Sequence, residues 1–169
     1  LKTYTIANSK ISEDGTFELE YSDADYGMGY LEAEDNSPLF VVLSGHDIEF
    51  KGKVFSNPKT IEINKGKENR LFAQYASEHP RREQALSAWI YLEKIYNQDS
   101  LFAVQEVPMQ AITKEKQRIK REDSLFLADL PSETYVSWYL PVRKLVSSVS
   151  TVAQYRTEEI PATIAAFRD

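Results

Sequence analysis

The first third of the chain is dominated by short segments in which apolar residues alternate with charged or polar ones. Residues 16–21 alternate aromatic and aliphatic side chains with glutamates, and residues 47–51 alternate in the same way. Such alternation places the two classes on opposite faces of a strand. Segments of similar character, separated by turn residues, are 3–6, 29–33, 39–43, 48–50 and 60–63. The pattern predicts an antiparallel β-meander over about residues 1–65.

The pattern changes near Gly66, because all six glycines lie in the first 66 residues. Glycine supplies turns, so the front is expected to be turn-rich and the back helix-rich. Residues 83–96 carry apolar side chains at helical spacing, and a second helix over 68–77 is expected to meet this one at a corner formed by His79 and Pro80. The apolar stripe of the longer helix is Ala85, Ala88, Trp89, Leu92, Ile95 and Tyr96. We expect Trp89 and Leu92 to pack on the sheet.

The back part also contains segments of strand composition. Residues 125–127 and 135–140 are predicted strands, and 145–153 fits either a helix or a strand. Thr157 is a predicted N-cap of a last helix that carries Ile160, Ile164 and Phe167. The sequence therefore predicts an α+β fold, with an N-terminal meander, a helix-rich part and a few further strands. No repeat or proline-rich linker divides the chain, so residues 1–169 are expected to form a single domain.

The composition sets limits on class and on chemistry. The 169 residues are 42% hydrophobic and 27% charged, which is typical of soluble globular proteins, and no apolar run is long enough to cross a membrane. There is no cysteine, and two histidines are too few for an ordinary zinc site. Because the chain begins at Leu1, an excised domain and a processed product are both expected alternatives, and the localisation stays open.

The sequence contains none of the common motifs that identify an enzyme class. It contains no nucleophile elbow, Walker loop, dinucleotide-binding glycine motif or metalloprotease helix motif. His46 follows Ser44 and Gly45 in a predicted turn, and His79 precedes Pro80, so both histidines are interpreted as turn or helix-start residues. We therefore assign no catalytic residue and no cofactor from the sequence, and we interpret the chain as more typical of a non-enzyme.

Charge is distributed unevenly along the chain. Residues 1–50 contain eleven acidic residues and two basic ones, for a net charge of −9, and the remainder is net positive. Nucleic-acid binding is disfavoured, since phosphate contacts require a basic face. One basic cluster, residues 114–121, is interrupted by acids and fits a solvated helix face as well as a phosphate site. The expected partner is another protein, with basic character as one alternative, and the oligomeric state stays open.

The acidic segment 22–35 is similar in composition to a calcium-binding loop. Counting from Asp23, Asp25 and Glu34 occupy EF-hand positions 3 and 12, but position 6 is Met28 instead of the required glycine. The flanks are also predicted strands and not helices. We favour a strand connection in which the aspartates bond to nearby backbone, and leave a cation site of another type open.

A second acidic pattern has the spacing of metal-dependent nucleases. Glu49 and Lys51 flank Phe50, so both project from one face of a strand, and Asp35 lies upstream. If residues 39–43 pair with 48–54, however, Asp35 falls beyond the partner of Glu49. An ordinary solvated sheet face is the favoured interpretation.

The aromatic residues Tyr135, Trp138 and Tyr139 lie in one predicted strand, where one side is core and the other is a contact surface or an exposed edge. The combined prediction is a non-catalytic protein-interaction domain or assembly subunit, with the acidic N-terminal sheet as its contact face. A metal-dependent hydrolase that uses Asp35, Glu49 and Lys51 is one alternative, and a small-ligand carrier enclosed by the sheet and the Trp89 helix is another.

Overall fold

The computed structural model describes residues 3–33 and 37–155, and the side chains only as far as residue 146. It contains four strands and three long helices, and the α+β class is confirmed. The strands are β1 (Gly27–Glu32), β2 (Pro38–Leu43), β3 (Glu49–Lys51) and β4 (Glu62–Lys65), and the helices are α1 (Lys67–Gln98), α2 (Glu106–Ala128) and α3 (Tyr135–Tyr155). Short 3-10 turns lie at Asp23–Asp25 and Pro58–Thr60.

The chain forms two compact units, Leu1–Leu71 and Phe72–Asp169, and each is described by itself below. All four strands belong to the first unit. The helices α2 and α3 belong to the second unit, together with all but the first residues of α1. A single domain over residues 1–169 stays a prediction.

The strands of the first unit form two separate antiparallel hairpins in place of one meander. β1 pairs with β2, with Tyr30 opposite Phe40, and β3 pairs with β4 across a bulge next to Glu49. The pairing of 39–43 with 48–54 that was considered above does not form. The core of this unit is the second half of β2, where Val41, Val42 and Leu43 are buried.

Residues 3–6 and 16–21, which alternation predicted as strands, form no strand. The reason is visible at Phe17, whose ring packs at centroid distances of 5.9 Å from Phe50 and 6.5 Å from Phe55. Aromatic packing thus shields this apolar side chain without a backbone ladder. Alternation indicates which side chains are shielded, but a strand also needs a partner strand.

Helix α1 runs without a break through Pro80, so the two predicted helices with a corner at His79 are one helix. A proline inside a helix removes one backbone hydrogen bond and costs about 3 kcal/mol. Side chains on both sides of Pro80 offset this cost, since Tyr75 packs on Phe126 of α2 and Arg82 lies near Asp123 of the same helix.

The predicted apolar stripe of α1 is only partly correct. Trp89 is half-buried, but Leu92 is 38% exposed and does not belong to a buried face. Leu86 and Tyr96, three residues before and seven after Trp89, are half-buried as well. The shielded side of this part of α1 is therefore rotated away from Leu92, and the prediction that Leu92 packs into the fold is wrong.

The strands predicted in the back part are helical. Residues 125–127 lie in α2 and residues 135–140 in α3, and 145–153 also belongs to α3. Aromatic and β-branched residues favour strands only where packing suits a pleated surface. Here Tyr135 and Tyr139 stack with centroids 5.4 Å apart, which the four-residue spacing of a helix permits. The helix predicted after Thr157 lies outside the described residues.

The core of the second unit is formed by residues at helical spacing. Ile112 and Ile119 are buried two turns apart on α2, and Val136 and Leu140 are fully buried one turn apart on α3. Phe72, Tyr75 and Leu130 complete the buried set. Within the part of the chain that the structure describes, no helix has the length and apolar character needed to span a membrane.

Candidate functional site

The aspartates before β1 are held by short-range hydrogen bonds. Asp25 accepts bonds from the Ser22 backbone N–H at 2.9 Å and hydroxyl at 2.7 Å, and from the Tyr4 hydroxyl at 3.2 Å. These bonds lower the pKa of Asp25, the Ser22 backbone bond contributing most, because they stabilise the carboxylate. Asp23 accepts a bond of 2.7 Å from the Tyr26 hydroxyl, and the pKa of Tyr26 is raised for this reason.

This geometry supports the interpretation of residues 22–26 as a local turn. Ser22 and Asp25 form a capping box around the 3-10 turn, so the Asp25 carboxylate is already engaged by the Ser22 backbone N–H and by two hydroxyls. Glu34, the third predicted ligand, lies outside the described residues. Across residues 3–33 and 37–155, no group of three or more acids or histidines is arranged to hold a metal ion.

The glutamates of the front differ from these aspartates. Glu18, Glu20 and Glu32 are exposed, and the structure gives them neither a hydrogen bond nor an ion pair within its described residues. No lysine or arginine occurs between Lys10 and Lys51, so neutralisation from neighbouring sequence is impossible. We use the name acidic surface for the seven acidic residues of the front that the structure describes up to β1, which are Glu13, Asp14, Glu18, Glu20, Asp23, Asp25 and Glu32.

The hairpin β1–β2 carries an exposed aromatic pair beside this surface. Tyr30 and Phe40 are cross-strand neighbours with ring centroids 6.3 Å apart, and both are about half exposed. The other end of the hairpin is anchored by Asn69 at the start of α1. The Asn69 side chain accepts a bond from the Val42 N–H at 2.8 Å and donates one to the Val42 carbonyl at 2.9 Å. Asn69 therefore acts in place of a neighbouring strand.

Glu49 and Lys51 do lie on the exposed face of β3, with the less exposed Phe50 between them. The Glu49 carboxylate already has two partners, however. It accepts a bond from Asn64 and pairs with Lys65 at 3.2 Å, and the Lys65 bond contributes most to lowering its pKa. The structure does not test whether Asp35 approaches this pair, because Asp35 lies outside the described residues. What is described is a cross-strand ion pair on a solvated sheet face.

A buried charge cluster that the sequence did not reveal holds the three helices of the second unit together. Asp123 of α2 is only 3% exposed, and it accepts bonds from His79 Nδ1 of α1 at 2.9 Å and Lys144 Nζ of α3 at 2.5 Å. Arg82 Nη1 lies 3.8 Å from the same carboxylate. Burial acts to raise the pKa of Asp123, but the bonds from Lys144 and His79 outweigh it, and the pKa is lowered.

Tyr75 completes this cluster. Its ring stacks on His79 with centroids 4.8 Å apart, and burial raises the pKa of its hydroxyl. The Tyr75 hydroxyl and Arg82 Nη1 are buried without a hydrogen-bond partner among the described residues. Tyr75, His79 and Arg82 lie four and three residues apart on one face of α1, and this spacing is the signal in the sequence that would have predicted a polar helix interface.

The second unit also has two shallow depressions and a basic cluster on its surface. Two depressions of about 340 and 470 Å³ are open to solvent; Met109, Gln110, Thr113, Lys114 and Gln117 line the first, and Ile95, Gln98, Asp99 and Ser100 the second. In the basic cluster 114–121, Arg118 bonds Glu115 and Glu122, and Lys116 bonds Glu93. The cluster lies on helix α2, where two of its five basic side chains are paired and Lys114, Lys120 and Arg121 are exposed.

Comparison with known proteins adds no assignment: no protein-family model, curated protein or solved structure matches this chain.

Proposed function

We propose that this chain is a non-catalytic protein-binding module whose first unit uses its acidic surface to contact a basic partner. The observation that carries the proposal is the uncompensated charge of the glutamates at positions 18, 20 and 32. Such charges do not stabilise the isolated fold, since like charges repel. A basic partner would supply the missing counter-charges.

The local bonding of the aspartates supports the same proposal. Asp14 accepts bonds from the Thr16 hydroxyl and backbone N–H, which lower its pKa, and the pKa of Asp25 is lowered by Ser22. These hydrogen bonds fix the carboxylates and favour their charged form without neutralising them. Asp14 and Asp25 consequently keep their negative charge to lower pH than free aspartates would.

The two alternatives find less support in the described residues. A hydrolase centred on Glu49 and Lys51 would need Glu49 to be available for a metal, whereas Lys65 and Asn64 occupy it. A small-ligand carrier needs an enclosed apolar pocket. The two depressions described above are open, and Trp89 lines neither of them.

The test compares charge-reversed variants in binding to a purified partner. A partner captured from the source cells is purified, and its association rate is measured with wild type and with the triple variant Glu18→Lys, Glu20→Lys, Glu32→Lys. All three positions are exposed, so the core is untouched. Electrostatic steering predicts a wild-type rate that falls by about tenfold or more as ionic strength rises through the range where the Debye length is about 10 Å. The triple variant should be slow at every salt concentration.

The matched control is the triple variant Glu83→Lys, Glu106→Lys, Glu133→Lys, which changes the net charge equally on exposed acids of the second unit. The control should retain most of the rate and the salt dependence of the wild type. Equal rates for wild type and both variants at low and moderate salt would refute the proposal.

A further inference from the structure

One edge of the hairpin β1–β2 has unpaired backbone groups, and their positions follow from the bonds of Asn69. Because the N–H and C=O of Val42 point to Asn69, they point away from β1, and the Met28–Val42 pair is not hydrogen-bonded across the hairpin. Hydrogen-bonded and non-hydrogen-bonded pairs alternate along an antiparallel ladder. The backbone groups of Met28, Tyr30 and Glu32 therefore point outward from β1.

Nothing in the described residues pairs with this outward edge. Within the described part of the chain the sheet has two strands, and residues 3–26 donate no backbone bond to β1. Exposed edges are ordinarily protected by lysine, proline or a bulge. β1 has the sequence GMGYLE and contains neither lysine nor proline, and its pairing with β2 shows no bulge.

The edges of the other three strands are short or partly occupied. On β2, Val42 is bonded to Asn69, and Pro38 at the other end has no N–H. On β4, Arg70 donates to the carbonyls of Ile63 and Asn64. β3 is only three residues long and is interrupted by a bulge. Among the four strands, β1 alone offers a full edge.

We propose that β1 accepts an extended segment of a basic protein as a third strand, so that the hairpin becomes a three-stranded sheet. This inference rests on the proposed function and names the kind of segment that the acidic surface would bind. Acids stand at both ends of the edge, with Asp23 and Asp25 just before it and Glu32 as its last residue. A segment in which lysine or arginine alternates with apolar residues would place cations near these acids and apolar side chains beside Tyr30 and Phe40.

A second copy of this chain fits the same edge poorly. Pairing β1 with β1 would bring two acidic surfaces together with no lysine or arginine from residues 11–50 of either copy. Like charges at close range oppose such pairing, whereas a basic segment gains from it. The occupant is therefore a different, cationic chain.

The experiment uses a synthetic octapeptide of alternating lysine and valine, with blocked termini, and the same peptide N-methylated at every residue. Both peptides carry the same charges, but the methylated one has no backbone N–H to donate. We expect the unmethylated peptide to bind in a salt-dependent manner and the methylated one to bind at least about tenfold more weakly. In amide exchange, the bound peptide should slow Met28, Tyr30 and Glu32, and leave Gly29 and Leu31 unchanged.

Two variants at one position test the protein side of the edge. Tyr30→Pro removes an outward N–H without removing a bond to β2, and Tyr30→Thr removes the ring but keeps that N–H. Peptide binding to Tyr30→Pro should be at least about tenfold weaker than to Tyr30→Thr. Circular dichroism checks that both variants fold, and the methylated peptide tests the inference on wild type in any case.

The outcomes separate this inference from the function it rests on. Equal binding of the two peptides would overturn the strand-addition inference, and salt-dependent binding of both would still agree with the acidic surface as a contact. Absence of binding of the unmethylated peptide at about 1 mM and low salt would also overturn strand addition. The proposed function fails separately, if reversing Glu18, Glu20 and Glu32 leaves the association rate of the purified partner unchanged.

Discussion

Replacement of Asp123 by asparagine is the sharpest test of how the second unit is held together. The carboxylate accepts hydrogen bonds from His79 of α1 and Lys144 of α3, and asparagine has nearly the same shape. Asparagine keeps one acceptor oxygen, but its amide group would point donor hydrogens at a second donor. The change therefore removes the buried charge that strengthens both interhelical bonds and turns one of them into a contact between two donors, with little change in packing.

The magnitude follows from the two bonds. The His79 bond is part-buried and, as a bond to a charged group, contributes about 1.5 to 3 kcal/mol. The Lys144 bond is discounted to about 0.5 to 1 kcal/mol, because the lysine side chain is 31% exposed and solvent screens it. We expect Asp123→Asn to lower the free energy of unfolding by about 2 to 4 kcal/mol, near the range for breaking a buried ion pair.

Urea unfolding followed by circular dichroism measures this difference, with Glu122→Gln as the control. Glu122 is the preceding residue on α2 but is 46% exposed and bonds only Arg118 among the described residues, so its replacement should cost less than about 0.5 kcal/mol. If Asp123→Asn were as stable as the control variant, the charge cluster would not hold the helices together.

The pH dependence gives an independent check on the same carboxylate. The pKa of Asp123 is lowered in the folded protein, so its contribution is complete above the unfolded pKa of about 3.9 and is lost as the pH falls through the lower folded value. The stability difference between wild type and Asp123→Asn should accordingly shrink as the pH falls below about 4. A difference that grew below that pH would contradict this assignment.

Two further predictions concern the first unit, and urea unfolding measures both. Asn69→Ala should lower the free energy of unfolding by about 2 to 3 kcal/mol because it leaves the buried N–H and C=O of Val42 unpaired. Asn69→Asp can accept a bond but not donate one, so its stability should lie between that of Asn69→Ala and that of wild type. Equal stability of all three proteins would show that the two bonds of Asn69 do not hold the hairpin. Gly45→Ala should be more destabilising than Gly15→Ala by about 1 kcal/mol. Both glycines have positive φ, but a Cβ at Gly45 would lie 2.3 Å from the Tyr26 hydroxyl, whereas a Cβ at Gly15 meets no atom within 4 Å. Equal losses of stability in the two variants would show that the Tyr26 side chain moves aside without a measurable cost.

The sequence predicted the elements of the first unit better than their pairing. The apolar run 39–43 and the glycine-flanked segment 29–33 are strands because their residues suit a half-buried ladder. The pairing of strands depends on contacts between residues far apart in the sequence, and the local pattern carries no information about them. β2 pairs with the preceding strand β1 and not with the following strand β3. Residues 16–21 alternate fully between the two classes, but no described strand pairs with their backbone.

In the helical unit, sequence reasoning failed where residue type and spacing disagreed. Residues 135–140 are aromatic and β-branched, which favours a strand, whereas the four-residue spacing of Tyr135 and Tyr139 suits the helix that forms. The burial of Asp123 could not be predicted from the sequence for another reason. It stands in the charged run Lys120-Arg121-Glu122-Asp123, and only the positions of α1 and α3 decide which of these charges is buried.

The unblocked edge of β1 also bears on how the protein avoids assembling into fibres. An unprotected edge is a template for cross-β stacking, and this one lacks the usual protective residues within the strand itself. The acids before and at the end of β1 then serve as gatekeepers, since each added copy would accumulate negative charge along a growing stack. Such protection is electrostatic and not steric, and it is lost only when the pH is low enough to protonate these carboxylates. The same carboxylates would thus select a cationic partner and keep the unoccupied edge from polymerising.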